Sequence, residues 1–339
     1  MCRTHGGHAQ VGGSRGARVG SNGPPPGVWN SMAAPPPPAA PAVFGPVEAT
    51  LYAATVLLWG TGWLPLRLQL GVVAPEVSGM LRFLVAGVIM FLAVGFSGGR
   101  LAFRPRDHLL FAGLGACLFS LNFLTFYYAG YHLKSGVMSV VFSLASVCIP
   151  VLSAAMFGTR LTARILVGTL LGVGGIALVF APSLVETGFD GPVLLALALA
   201  IAGTVLFSLG SLLTGVVSRH GLPLFSATAW GMAYGCLVFL LATLVSGATI
   251  QVEWTPRYLG ALGYLIVGPT LLGFAIYLQL IRRIGASRAG YGTVLFPLVA
   301  LVISTVFEGY HWTLEAGVGV ALVLAGNVVV LTKGRAAAR

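Results

Sequence analysis

Ten stretches of about 20 predominantly apolar residues follow one another along this chain, a pattern that leaves few folding options. They run approximately 48–68, 76–97, 108–131, 135–157, 162–182, 191–215, 222–246, 257–281, 286–307 and 313–332. At 1.5 Å per residue, a helix of about 20 residues crosses a hydrocarbon core about 30 Å thick. No water reaches such a core, so backbone N–H and C=O groups must pair within each segment, and each stretch is predicted to be a helix. The links are short and polar, leaving no room for a folded soluble domain. Composition agrees: 57% of the 339 residues are hydrophobic and 8% charged, with a mean hydropathy of +0.93. Ordinary soluble domains carry about 25% charged residues. The expected fold class is an all-α integral membrane protein with ten transmembrane helices.

Residues 1–45 differ in kind. They hold GGSRGARVGSNGPPPG and APPPPAAPA, too rich in Pro and Gly and too poor in large apolar side chains to bury a core, so this tail is expected to be disordered. It contains no basic-then-apolar segment with a small-residue cleavage site, so a removed signal peptide is not expected, and Met32 is as good a start as Met1. Of four cysteines, Cys117, Cys148 and Cys236 fall in predicted spans and Cys2 in the tail. That spacing suits neither a metal site nor a disulfide framework, which leaves packing roles. Neither a metal nor a cofactor is expected.

The net charge of +11 raises the question of a nucleic-acid partner, and its distribution answers no. With the N-terminus inside, cytoplasmic segments hold 15 of the 19 Lys and Arg, including Arg104, Arg160, Arg219, Arg283 and the 333–339 tail. The outer links keep only Arg67, Lys134 and Arg257, together with six of the eight acids, among them Glu76, Asp190, Glu253 and Glu308. Such asymmetry follows the positive-inside rule for a bacterial inner-membrane protein with both termini cytoplasmic. The lipid bilayer is therefore the expected surrounding, for a monomer or homodimer.

An ungapped shift of 151 residues places Phe123 on Phe274, Ser153 on Ser304, Gly158 on Gly309, Thr162 on Thr313, Gly168 on Gly319 and Gly175 on Gly326. Five spans per half is odd, so the second repeat (191–332) must be inverted relative to the first (46–182). Inverted repeats recur among secondary transporters, with the solute site near the midplane where the halves meet.

Four stretches, LLWGTGWLPLR, SGMLRFLVAG, FGTRLT and FEGYHWT, stand in order along these spans, with glycine-rich fifth and tenth spans. In order and spacing they resemble the EamA-type permeases of the drug/metabolite transporter superfamily, over residues 48 to 332. The resemblance implies uncoupled or proton-coupled movement of small metabolites, commonly export of amino acids. Where the family often has Gly-Glu-Arg-Leu-Thr, this chain has Gly158-Thr159-Arg160-Leu161-Thr162, so no role for that glutamate carries over to the first half. Glu308 offers a displaced acid in the second.

The residues themselves point to a pathway. Trp59 and Trp63 lie four apart on one helix face and form a candidate aromatic wall, Trp63 having the interfacial belt as its alternative. An unpartnered amide in lipid costs several kcal/mol, so Asn122 is predicted to face inward. Tyr128, Gln279 and Tyr291 are further candidate lining groups, with packing or interfacial anchoring as the alternative for the tyrosines. Pro150, Pro269 and Pro297 fall inside spans, as gating kinks or passive bends. Gly168-x-x-x-Gly172 and Gly231-x-x-x-Gly235 are small-residue interface patterns. Arg82 is the one charge deep in a span, roughly 10 Å from its outer end. Either it snorkels outward, toward Glu76, or it faces a cavity and binds a solute carboxylate.

A membrane enzyme would need a nucleophile, metal ligands or paired carboxylates near the interface. The histidines are scattered, Asp107-His108 being the nearest approach to a catalytic pair, and no filter or charged ring suggests a channel. The expected function is therefore not enzymatic. It is transport of small organic solutes, amino acids including aromatic ones leading, neutral or zwitterionic, around a central cavity by alternating access. Lipophilic cations are the alternative cargo, and a membrane enzyme or scaffold the remoter class.

Overall fold

Why these windows become helices, and why four of them are interrupted, follows from how the backbone is paired. The computed structural model describes residues 45–187, 191–284 and 292–331, all within the compact unit Ala40–Arg339; the Pro/Gly-rich tail up to residue 44, the 333–339 tail and Tyr291 lie outside them. The first window forms α1 (Pro46–Thr61) and α2 (Trp63–Leu68), the second α3 (Pro75–Phe96), the third α4 (Pro105–Leu118) and α5 (Leu121–Ala129). The fourth forms α6 (Ser135–Phe142) and α7 (Ala145–Phe157), and the fifth α8 (Ala163–Thr187). There follow α9 (Gly191–Arg219), α10 (Leu224–Ser246), α11 (Pro256–Leu265), a π-helical segment (Ile266–Gly273), α12 (Phe274–Ile284), α13 (Gly292–Glu308) and α14 (Leu314–Leu331). No strand occurs among the described residues.

Among those residues, seven helical segments are long and apolar enough to cross a membrane: Pro75–Phe96, Pro105–Ala129, Ser135–Phe157, Ala163–Phe180, Gly191–Arg219, Leu224–Ser246 and Pro256–Leu280. Leu295–Glu308 and Leu314–Val330 are shorter apolar helices. Proline opens α1, α3, α4 and α11, where its missing N–H removes no helical bond. Gly158 and Gly309 follow α7 and α13 with φ of 65° and 58°, a left-handed turn that glycine adopts without steric cost.

The sequence predicts ten transmembrane helices, with proline kinks at Pro150, Pro269 and Pro297; the first, third, fourth and eighth windows are locally interrupted. Hydroxyl groups bond backbone carbonyls beside each break: Thr61 Oγ1 to Leu57 O (2.6 Å), Ser120 Oγ to Gly115 O (2.7 Å), Ser143 Oγ to Val140 O (2.7 Å) and Thr270 Oγ1 to Leu265 O (2.7 Å). In hydrocarbon such donors replace the water that a soluble protein would use.

The helices expose apolar side chains outward as well as burying them inward. Leu84, Val88 and Leu92 stand exposed at helical spacing on α3, while its covered face carries Ser78 and Arg82. Close backbone approach occurs at glycines, chiefly where α8 crosses α14. An ideal Cβ on Gly168 would lie 2.8 Å from the Gly326 carbonyl oxygen, and one on Gly326 2.7 Å from that of Gly168. Gly175 and Gly319 are related likewise, at 2.5 Å in both directions. Gly231 and Gly235 on α10 abut Phe119, at the end of α4. Asp107 accepts the Arg104 N–H at the start of α4 and His108 packs edge-on to Trp230, so this pair serves a helix end and a packing contact.

Candidate functional site

Arg82 lies in the interior, only 2% exposed, on the covered face of α3. Its Nε donates to Thr270 Oγ1 at 2.9 Å. Pro269, just before Thr270, has no N–H to offer the preceding turn, and Thr270 Oγ1 gives its single proton to Leu265 O. That commitment leaves the hydroxyl as an acceptor toward the arginine. The guanidinium carbon stands 4.4 Å from the ring centroid of Phe123 and 5.1 Å from that of Phe83, distances at which the aromatic faces attract a cation. Nη1 has no hydrogen-bond partner among the described residues. Glu76 does not pair with it; its carboxylate accepts the Tyr128 hydroxyl.

Around Arg82 the helices line a partly open cavity of about 80 Å³, where residues of the first, second, third, fourth, sixth and eighth windows converge. Its walls are mostly aromatic. Trp59 of α1 donates Nε1–H to the Pro269 carbonyl at 3.0 Å, with Phe274 and Tyr277 against its ring at 5.4 and 4.8 Å. Trp63 of α2 meets Phe126 at 5.0 Å and Phe142 at 5.2 Å, and Phe207 of α9 closes on Phe142 at 4.6 Å. Leu66, Leu265 and Gly62 complete the apolar lining. Apart from Arg82, the polar side chain is Asn122, 2% exposed, whose Oδ1 has no partner among the described residues.

The candidates named from sequence therefore separate. Trp59, Trp63, Arg82, Asn122 and Pro269 come together on the cavity. Tyr128 is 38% exposed, off the lining and bonded to Glu76, while Gln279 is exposed on α12. Pro150 and Pro297 sit inside α7 and α13 away from the cavity, and Tyr291 lies outside the described residues.

One turn beyond Trp63, the cavity end is fastened. Arg67 Nη1 meets Glu308 Oε1 at 2.6 Å, and the other Glu308 oxygen accepts from the Ser135 N–H (3.0 Å) and hydroxyl (2.5 Å). Arg67 Nε donates to Gly130 O, and Lys134 Nζ to Gly309 O at 2.6 Å. These bonds join α2, the α5–α6 link and the end of α13. The Glu308 side chain is 3% exposed, so its charge is stabilised by donors rather than by water.

The architecture is an aromatic cavity with one buried cation among apolar helices. A model of the EamA-like transporter family matches residues 48–181 and, a second time, 194–332. The chain belongs to the EamA-like transporter family. It is a multi-pass membrane transporter and not an enzyme. YvbV, an uncharacterized transporter of Bacillus subtilis, is 24% identical over 301 residues, covering 85% of this chain and 92% of the relative. A probable terminal-alkyne amino-acid exporter of Streptantibioticus cattleyicolor is 27% identical over 279 residues, covering 81% and 90%. Among solved structures, a crystal structure superposes with a TM-score of 0.61 at 19% identity, covering 83% of this chain and 95% of the other, a likeness of fold.

Several groups of this EamA-like protein were not singled out from sequence. Thr270 holds Arg82, Phe123 lies beneath it, and Phe142, Phe207 and Phe274 extend the wall. For Thr270 a signal existed: a hydroxyl next to an intramembrane proline has a freed carbonyl within reach. Phe123 and Phe274 stood out only as a matched pair of the internal repeat, and for Phe142 and Phe207 no signal existed, because phenylalanine is an ordinary packing residue in such a composition.

Proposed function

We propose that this protein is a ten-span carrier of the bacterial inner membrane, moving small carboxylate-bearing organic metabolites by alternating access around the Arg82 cavity. Amino acids and their derivatives are the leading cargo. The observation that carries the reading is the unpartnered Nη1 of Arg82, a buried charge-bearing donor on a residue that lines an aromatic cavity. The Streptantibioticus relative, named for an amino-acid exporter, supports the same class. Lipophilic cations are disfavoured, since they would meet Arg82 with no acid on the lining among the described residues to offset it.

An inverted repeat is supported by the glycines. The 151-residue shift makes Gly168 equivalent to Gly319 and Gly175 to Gly326, while the contacts run Gly168 to Gly326 and Gly175 to Gly319. Exchanging the two halves maps this contact set onto itself, as a two-fold axis requires, and the order is antiparallel, as an axis in the membrane plane requires. The third and eighth windows are also irregular at matching places, near Ser120 and Leu271.

Proteoliposomes offered a panel of labelled amino acids and related carboxylic acids, with and without a pH gradient, are expected to show saturable, protein-dependent flux. Absence of such flux for every small organic solute tried would sink the reading. Among the described residues no acid lines the cavity to relay a proton, so facilitated movement without strong dependence on the gradient is expected. Both termini are assigned to the cytoplasm from the basic bias of the links. Single cysteines near Arg104 and Arg219 are then expected to react with an impermeant thiol reagent only from the cytoplasmic side, and near Lys134 and Glu253 only from outside; the reverse pattern overturns the orientation.

A further inference from the structure

We propose that the cavity selects monoanionic carboxylates, with the nitrogen acylated or absent, over the corresponding zwitterionic amino acids. The inference rests on the carrier reading above and narrows its substrate class.

The first argument is charge. Arg82 is the only charged side chain on the cavity, and no carboxylate pairs with it among the described residues. Glu76 is engaged by Tyr128, Glu308 by Arg67 and Ser135, and Glu48 by Arg283. A bound monoanion makes the site neutral. A zwitterion brings a carboxylate for Arg82 but adds an ammonium, so the occupied site still carries one net positive charge. An ammonium in a low-dielectric space is best matched by water or an anionic partner; aromatic faces give it a cation–π contact but no neutralising charge, and Arg82 already occupies the faces of Phe83 and Phe123.

The second argument is the inventory of acceptors. The Pro269 carbonyl at the wall is occupied by Trp59 Nε1–H, and the Thr270 hydroxyl by Arg82. Each of these oxygens already accepts one bond, whereas Asn122 Oδ1 is a neutral acceptor without any partner among the described residues. One such oxygen is matched by a single neutral N–H or O–H, such as the amide proton of an N-acylated amino acid, and is a poor match for the three donors and full charge of an ammonium. The aromatic walls then receive the apolar body of the ligand, and Arg82 Nη1 its carboxylate.

The test is a ranking of four indole derivatives of different charge: N-acetyl-L-tryptophan, indole-3-propionate, L-tryptophan and tryptamine. Binding is measured calorimetrically on the full chain in nanodiscs, and exchange in proteoliposomes. The two monoanions are expected to bind about tenfold or more tightly than tryptophan, the scale of one unmatched charged hydrogen bond, and tryptamine not at all. Tryptophan binding as tightly as N-acetyltryptophan overturns the inference. If tryptophan also exchanges saturably in that case, the carrier reading stands, whereas no saturable flux of any solute removes both. The near-isosteric Asn122→Asp variant adds the missing anion, so it is expected to reverse the order in favour of tryptophan. An unchanged order in a folded Asn122→Asp protein overturns the charge argument, and the wild-type ranking decides the matter should that variant not fold.

Discussion

Arg82→Ala is expected to abolish measurable carboxylate flux while leaving a folded, membrane-inserted protein. The loss of one charge-assisted contact to a solute corresponds to roughly 10- to 100-fold in affinity. In a carrier the same contact orients the solute among the aromatic walls, so the fall in flux is expected at the upper end. Stability moves little, because the side chain removed is a buried charge without an anionic partner, and Thr270 keeps its bond to Leu265 O. Arg82→Lys is expected to recover little: an ammonium on a flexible stem cannot both reach Thr270 and hold a donor in a fixed direction toward the cavity. Flux in proteoliposomes, with thermal melting in detergent as the control, separates the outcomes. Normal flux by a folded Arg82→Ala protein would leave the arginine as packing and remove it from the site.

A second large effect is expected at the crossing of α8 and α14. Gly175→Leu would set a Cβ 2.5 Å from the Gly319 carbonyl oxygen, with backbone rather than a flexible side-chain end as the obstacle. Overpacking a tight interior costs about 1–3 kcal/mol even where side chains can yield, and here the helices themselves must part. Loss of most of the monodisperse protein is expected, and equally for Gly319→Leu, the reciprocal position. Gly174→Leu, one residue away in open space, is the control and should behave like the parent. Size-exclusion profiles of the three variants check this; a Gly175→Leu protein eluting and melting like the parent would mean that the helices do not approach so closely.

What could be read from the chain before its structure depended on the kind of residue. The windows were visible because lipid demands long apolar runs, and Arg82, Asn122, Trp59 and Trp63 stood out because polar or very large side chains are rare within them. Comparing the chain with itself marked Gly168, Gly175, Gly319 and Gly326 as repeat equivalents, though not as contacts of one helix crossing. Neighbours in space were not visible. Tyr127 and Tyr128 are adjacent, yet the first turns inward to Gln69 Oε1 at 2.5 Å and the second bonds Glu76, 52 residues away. Helical periodicity orders residues around an axis and says nothing of what the next helix presents. The divided windows at Ser120 and Ser143 were hidden for a related reason, since a single hydroxyl in an apolar run reads equally as a packing group or as the donor that lets a helix break.

The anchoring of Arg82 has a kinetic consequence. The hydroxyl that holds it has already given its proton to Leu265, and the phenyl faces beside it are uncharged, so nothing at the anchor cancels the guanidinium. Field lines from such a cation do not end on a neighbouring carboxylate; between apolar walls they are channelled along the cavity. On the carrier reading proposed above, anions are expected to be drawn in, and cations turned back, during diffusion and before any contact forms. Discrimination thus begins in the rate of capture, which added salt should slow, while the rate of escape is governed by the short-range contacts and should respond far less.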